Sequence, residues 1–186
     1  MFQLVKVCSR LDRFGISGAN SKGFKWIEML ETNHSLSQKE EWQLNEMKAL
    51  LLNERGNQDE FFPIWYKLLK QYREADRPED VGKCLLTIAN HFVMLEDYEN
   101  ALPLYKEAYQ LALEHKSIEL QQVSGIMLIK YLCGAGYYSE SLEYYKKLNQ
   151  EIAFNPSVQN EVVKSYMELN KPDSARIYLA ERSLSD

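Results

Sequence analysis

The residue types able to do chemistry are few and scattered along this chain. Its histidines are His34, His91 and His115, and none sits at the HxxxH or HExxH spacing that puts two imidazoles on one helix face for a metal. His34 falls in a loop and His115 at a helix C-terminus, where a cation is favoured. His91 follows the side of its helix away from the apolar stripe. Cys8, Cys84 and Cys133 are odd in number and form no CxxC pair. They read as reduced, buried thiols of a cytosolic protein, not as a disulfide framework or zinc site. No GxGxxG, P-loop or GxSxG occurs, and the eight glycines mark turns. The acidic pairs Glu40-Glu41 and Glu79-Asp80 open helices, where they offset the helix dipole. The expectation is a chain that is not an enzyme and holds no metal and no cofactor.

Composition narrows the partners. With 186 residues, 45% of them hydrophobic, the chain can bury one sizeable core or a short repeat array. Charged residues make up 26% and the net charge is -5, so no clustered basic excess suits direct nucleic-acid binding. Lys146 and Lys147 are the only adjacent lysines on a helical stretch. No run approaches the ~20 apolar residues of a membrane span. The opening MFQLVKVCSRLDRF lacks the apolar block and cleavage site of a secretory signal, so the expected location is cytoplasmic.

The elements that would position side chains are all helical. Leu4, Val7, Cys8 and Leu11 predict a helix over Phe2 to Phe14, broken by Gly15, Gly18 and Asn20. Phe24, Ile27, Met29 and Leu30 predict a second, ending near Thr32-Asn33-His34. Ser37 to Glu40 forms a capping-box pattern opening a helix from Gln38 to Glu54, with Trp42, Ala49 and Leu52 on one face. After Arg55-Gly56-Asn57 a helix runs from Asp59 to Ala75, with Pro63 in its first turn. Pro78 starts the next, to Leu95, burying Leu85, Ile88, Ala89 and Phe92. Helices from Asp97 to His115, from Ser117 to about Gly134, and from Tyr138 to Ile152 follow, then residues 156–169 and 172–184. No strand alternation of useful length and no low-complexity linker appears.

The chain repeats itself around Asp97 to Ala112, DYENALPLYKEAYQLA, where Ala101, Tyr105 and Ala108 share one helical stripe. Ser141, Tyr145 and Leu148 take these slots in the next copy, Ala175 and Leu179 two of them in the last, and Phe61, Trp65 and Leu68 in a degenerate earlier one. The small-residue slot falls at positions 61, 101, 141 and 175, in steps of 40, 40 and 34. The preceding helices match in turn: Leu85, Ile88-Ala89 and Phe92; Leu128-Ile129 and Leu132; Val162-Val163 and Tyr166.

These helix pairs resemble the tetratricopeptide repeat, whose unit is ~34 residues of helix-turn-helix, over about residues 38–186. Steps of 40 look like the long-repeat variety, with about one and a half extra turns of helix. Trp65 and Phe61 are larger than the pattern expects, so the first pair packs differently. The resemblance implies an all-α fold, a right-handed α-α superhelix, as a single helical-repeat domain over 1–186. Its divisions are a degenerate helix pair at 1–36 and pairs at 37–76, 77–116, 117–155 and 156–186.

The resemblance also implies a site: first helices line the concave face. The inward residues would be Asn53, then Lys83, Leu86, Asn90 and Val93, then Val123, Ile126 and Lys130, then Asn160, Lys164 and Met167. Asparagine amides there would hold a peptide backbone, and lysines would attract a carboxylate. The carboxylate clamp of chaperone-tail-binding relatives is incomplete, because Leu86 stands where its lysine belongs. Tyr131, Tyr137 and Tyr144 lie partly off the stripe, forming an exposed aromatic patch or covering neighbouring helices. The implied function is a scaffold for a peptide or partner protein. The alternative is a sensor or dimerisation module of a larger bacterial signalling protein or transcription regulator. Ile177, Tyr178, Leu179 and Leu184 spread around the last helix, which predicts that a second copy in a symmetric homodimer, or a further domain, covers it.

Overall fold

The computed structural model describes residues 19–33, 36–54, 56–148 and 155–183. The helix expected over Phe2 to Phe14 therefore lies outside the described residues, as do Cys8, His34 and Leu184. Among the described residues every regular element is a helix: α1 (Ala19–Asn33), α2 (Gln38–Glu54), α3 (Gln58–Glu74), α4 (Pro78–Met94), α5 (Tyr98–Glu114), α6 (Ile118–Gly134), α7 (Tyr138–Lys147), α8 (Pro156–Glu168) and α9 (Pro172–Ser183). The chain divides into two compact units, Met1–Asp76 and Arg77–Asp186.

From α2 to α7 a helix begins every twenty residues, at Gln38, Gln58, Pro78, Tyr98, Ile118 and Tyr138. This rhythm is finer than the forty-residue pair legible in the sequence. Each three-residue turn holds a middle residue in the left-handed region: Gly56 (φ 68°), Asp76 (50°), Glu96 (59°), Lys116 (54°), Gly136 (83°) and, later, Asn170 (55°). Non-glycine residues cost about 1–2 kcal/mol there, and the hydrogen bonds of the turn offset it. The Glu96 and Asp97 amides donate to Val93 and Phe92, Lys116 and Ser117 to Leu113 and Ala112, and Asn170 and Lys171 to Met167 and Tyr166. These are paired Schellman bonds, and they satisfy carbonyls a helix end leaves open. The residue closing one helix then caps the next: the Asn57 and Asp97 side chains accept from the Glu60 and Asn100 amides. At α2 the Ser37 amide and hydroxyl both donate to Glu40, one arm of the expected capping box.

In the first unit α1 lies on α2 through Ile27, Leu30, Leu44, Met47 and Leu51. The helix begins at Ala19 and passes through Asn20, which the sequence had suggested as a break. Against α3, Trp42 meets Tyr72 edge-on at 5.1 Å, and the Tyr72 hydroxyl donates to Glu46 Oε1 at 2.6 Å. Phe61 fills the small-residue slot and is buried against Phe62 and Trp65.

In the second unit each helix packs on its successor, and α4, α6 and α8 also pack in sequence with one another. Ala101, Ser141 and Ala175 are all buried, as the repeat slot requires. The Ser141 hydroxyl donates to the Ile129 carbonyl at 3.2 Å, so the paired helices touch there almost backbone to side chain. Ile129, Leu142, Val158, Val162 and Tyr178 join α6 to α9 in one core.

Two expectations need correction, and one open alternative is decided. The helix expected to reach Ile152 is interrupted after Lys147, where Leu148 turns extended at ψ 148° and packs into the core, and residues 149–152 lie outside the described residues. Leu179 does not fill the aromatic slot of the last copy: it is exposed, and Tyr178 is buried in its place. Of the two readings of Tyr131, Tyr137 and Tyr144, an exposed patch or a cover for neighbouring helices, the second holds for Tyr131 and Tyr144. Tyr131 stacks on Tyr105 at 5.2 Å, Tyr144 meets Tyr109 edge-on at 5.8 Å, and Tyr137 alone of the three is exposed.

Candidate functional site

The face offered by α4, α6 and α8 begins from a helical stripe. On α4 the residues Glu79, Lys83, Leu86 and Asn90 follow one another at steps of four, three and four, one side of a helix. Glu119, Val123, Ile126 and Lys130 repeat that stripe forty residues later on α6. Between the first halves of these helices lies a pocket of about 100 Å³ lined by Glu79, Lys83, Leu86, Ser117, Glu119, Leu120 and Val123. Its floor is apolar. Leu86 and Leu120 are buried and Val123 is exposed. Its rim is charged.

Gly82 is the reason the floor is closed. A Cβ at that position would collide with the Leu120 side chain. Without one, the first turn of α6 settles against the backbone of α4. The Ser124 hydroxyl, buried on α6, donates to the Leu120 carbonyl and satisfies itself there. Asp80 pairs with Arg77 one turn away, whereas Glu79, Lys83 and Glu119 have no ion pair among the described residues.

Of the residues implied by the repeat register, the structure brings Lys83, Leu86 and Val123 together in this pocket. Asn90 is exposed, and its Oδ1 accepts the Tyr105 hydroxyl at 2.5 Å, tying the side chain to the core. Val93 and Ile126 are half-buried, and Lys130, Asn160, Lys164 and Met167 are exposed. Lys130 Nζ lies 5.4 Å from the Tyr131 ring centre. Asn53 belongs to the other unit, half-buried in the last turn of α2. Leu120 and Ser117 escaped the sequence reading, and so did the part played by Gly82.

Of the described histidines and cysteines, His91, Cys84 and Cys133 are buried and His115 is exposed. Neither Cys84 nor Cys133 forms a disulfide. Burial, then the Glu161 carbonyl accepting from its Sγ, pushes the Cys133 thiol up to about 11, so the reactive thiolate is scarce. Among the described residues no group of three or more His, Cys, Asp and Glu stands close enough to hold a metal ion. No helix among them is long and apolar enough to cross a membrane.

His91, expected on the side of α4 away from the apolar stripe, is buried, and burial lowers its pKa below 6.5. The folded chain therefore resists a proton that the unfolded chain accepts at about 6.5. Stability from this residue is complete above that pH and is lost as pH falls toward the lowered folded value. The slope is at most about 1.4 kcal/mol per pH unit for one proton. Thermal melts from neutral pH to mildly acidic should show the loss, and His91→Gln should flatten it; an equal slope in both chains assigns the effect to other groups.

No protein-family model matches the chain, and neither a curated protein nor a solved structure matches it.

Proposed function

We propose that this chain is a non-enzymatic interaction scaffold of the tetratricopeptide kind. Its helix pairs wind as a right-handed α-α superhelix, and the first helices of the 77–186 unit hold a peptide or partner protein. One observation carries the reading: Lys83, Leu86 and Val123, assigned to the inner face from register, line one pocket across α4 and α6. Asn90, Lys130 and Lys164 occupy one slot on α4, α6 and α8, and all are exposed. With its oxygen taken by Tyr105, the Asn90 amide keeps its NH2 to donate to a peptide carbonyl. The two lysines would draw an acidic or carboxylate-terminated segment along the face.

Partners captured by the purified chain and identified by mass spectrometry supply the ligand for the test. Lys130→Glu with Lys164→Glu should leave circular dichroism unchanged, weaken an acidic partner and lessen its salt dependence. If every partner binds that variant and a Lys83→Glu variant as it binds the parent chain, the binding surface is elsewhere.

A second reading, the sensor or dimerisation module of a larger bacterial signalling protein, draws on α9. Ile177 is 57% exposed and Leu179 51% on this last helix, which a second copy or a further domain would cover. Light scattering at micromolar concentration separates these forms: a monomeric wild-type chain removes the dimer.

A further inference from the structure

The pocket between α4 and α6 has a chemistry of its own, distinct from the lysine slot further along the face. It is too small for a nucleotide-sized or cofactor-sized ligand, which takes several hundred Å³; at about 100 Å³ it suits a single side chain. Leu86, Leu120 and Val123 give that side chain an apolar floor and wall, so the side chain is aliphatic. Around it stand two carboxylates, Glu79 and Glu119, against one ammonium, Lys83. Both carboxylates belong to first turns, where a negative side chain offsets the helix dipole. The rim is therefore negative by one charge. The Ser117 hydroxyl caps no amide of its own helix and is left to bond a passing backbone.

From this geometry we infer that the pocket receives one branched aliphatic side chain from a peptide segment that carries a lysine or arginine beside it. The inference rests on the reading of these helices as the binding face and names what the first position of that face selects. An acidic neighbour would meet two carboxylates for one lysine and be disfavoured. A basic neighbour would sit between Glu79 and Glu119 while the aliphatic group displaces water from the floor.

The test is a titration of the isotope-labelled full chain, followed by two-dimensional NMR, with three capped hexapeptides. They are identical except for a central Leu-Lys, Leu-Glu or Ser-Lys. The Leu-Lys peptide should shift the amides of Gly82, Lys83, Leu120 and Val123 and bind roughly fivefold more tightly than Leu-Glu, the worth of one surface ion pair. Ser-Lys should bind weakest. Glu79→Lys with Glu119→Lys should reverse the first two. Gly82→Ala, which displaces the Leu120 side chain that lines the pocket, should weaken all three without unfolding the chain. Equal affinity for Leu-Lys and Leu-Glu, or an order unchanged in the double variant, overturns the inference. So does silence toward all three peptides at millimolar concentration. The Lys130 and Lys164 variant with a captured partner decides the wider reading independently, so the scaffold can stand while this occupant falls.

Discussion

Tyr105→Ala is expected to lower stability by roughly 3–5 kcal/mol, the range of buried aromatic truncations. Tyr105 is fully buried in the second turn of α5. Its ring stacks on Tyr131 at an interplanar angle of 16°, and its hydroxyl donates to Asn90 on α4. One side chain therefore ties α4, α5 and α6. Its removal leaves a void lined by side chains of all three helices, which only partly collapses. Burial, with Tyr131 beside it, holds the phenol proton far above its ordinary range, so alkaline ionisation does not enter. Tyr105→Phe isolates the hydroxyl. Asn90 is exposed and regains water, so that variant should lose only about 1 kcal/mol. Urea melts of the two variants give the comparison. Equal and small losses would mean that the ring does not sit in the repeat stripe.

The sequence made the spacing of this stripe legible because Ala101, Tyr105 and Ala108 obey one helical period and all three are buried. It failed where two spacings share a face. Tyr178 and Leu179 lie three and four residues after Ala175, and either can point toward the neighbouring helix. The step into the last copy is 34 rather than 40, and the side chain buried is Tyr178, which meets Tyr145 edge-on at 5.7 Å. The turns hid their rhythm for a different reason. Gly56, Asp76, Glu96, Lys116 and Gly136 share a backbone conformation but no side-chain type, so composition marks only the glycines. At the candidate site Lys83, Leu86 and Val123 follow from register alone. Leu120 and Gly82 do not, because the role of a glycine inside a helix depends on which neighbour leans on it. The burial of His91 was not legible, because a single helix's stripe says nothing of what covers its other side.

Ala101→Leu should be the most damaging small-to-large change, at about 1–3 kcal/mol. Ala101 has no exposed surface and sits in the first turn of α5, where the chain closes against α4. The same slot on α7 shows how little room there is, since Ser141 brings its hydroxyl within bonding distance of the Ile129 carbonyl on α6. Ile129 lies forty residues after Ala89, so the repeat predicts that Ala101 faces Ala89, itself fully buried. Three added carbons cannot enter that contact without separating α4 from α5, and separation also pulls Tyr105 from Asn90. Ala101→Ser is the matching control. It adds one atom, and Ser141 shows that a hydroxyl in this slot finds a carbonyl, so the change should be near neutral. Thermal melts of both variants test the register: a leucine tolerated as well as the serine would place Ala101 off the helix-pair contact and remove the small-residue slot as the organising feature of the repeat.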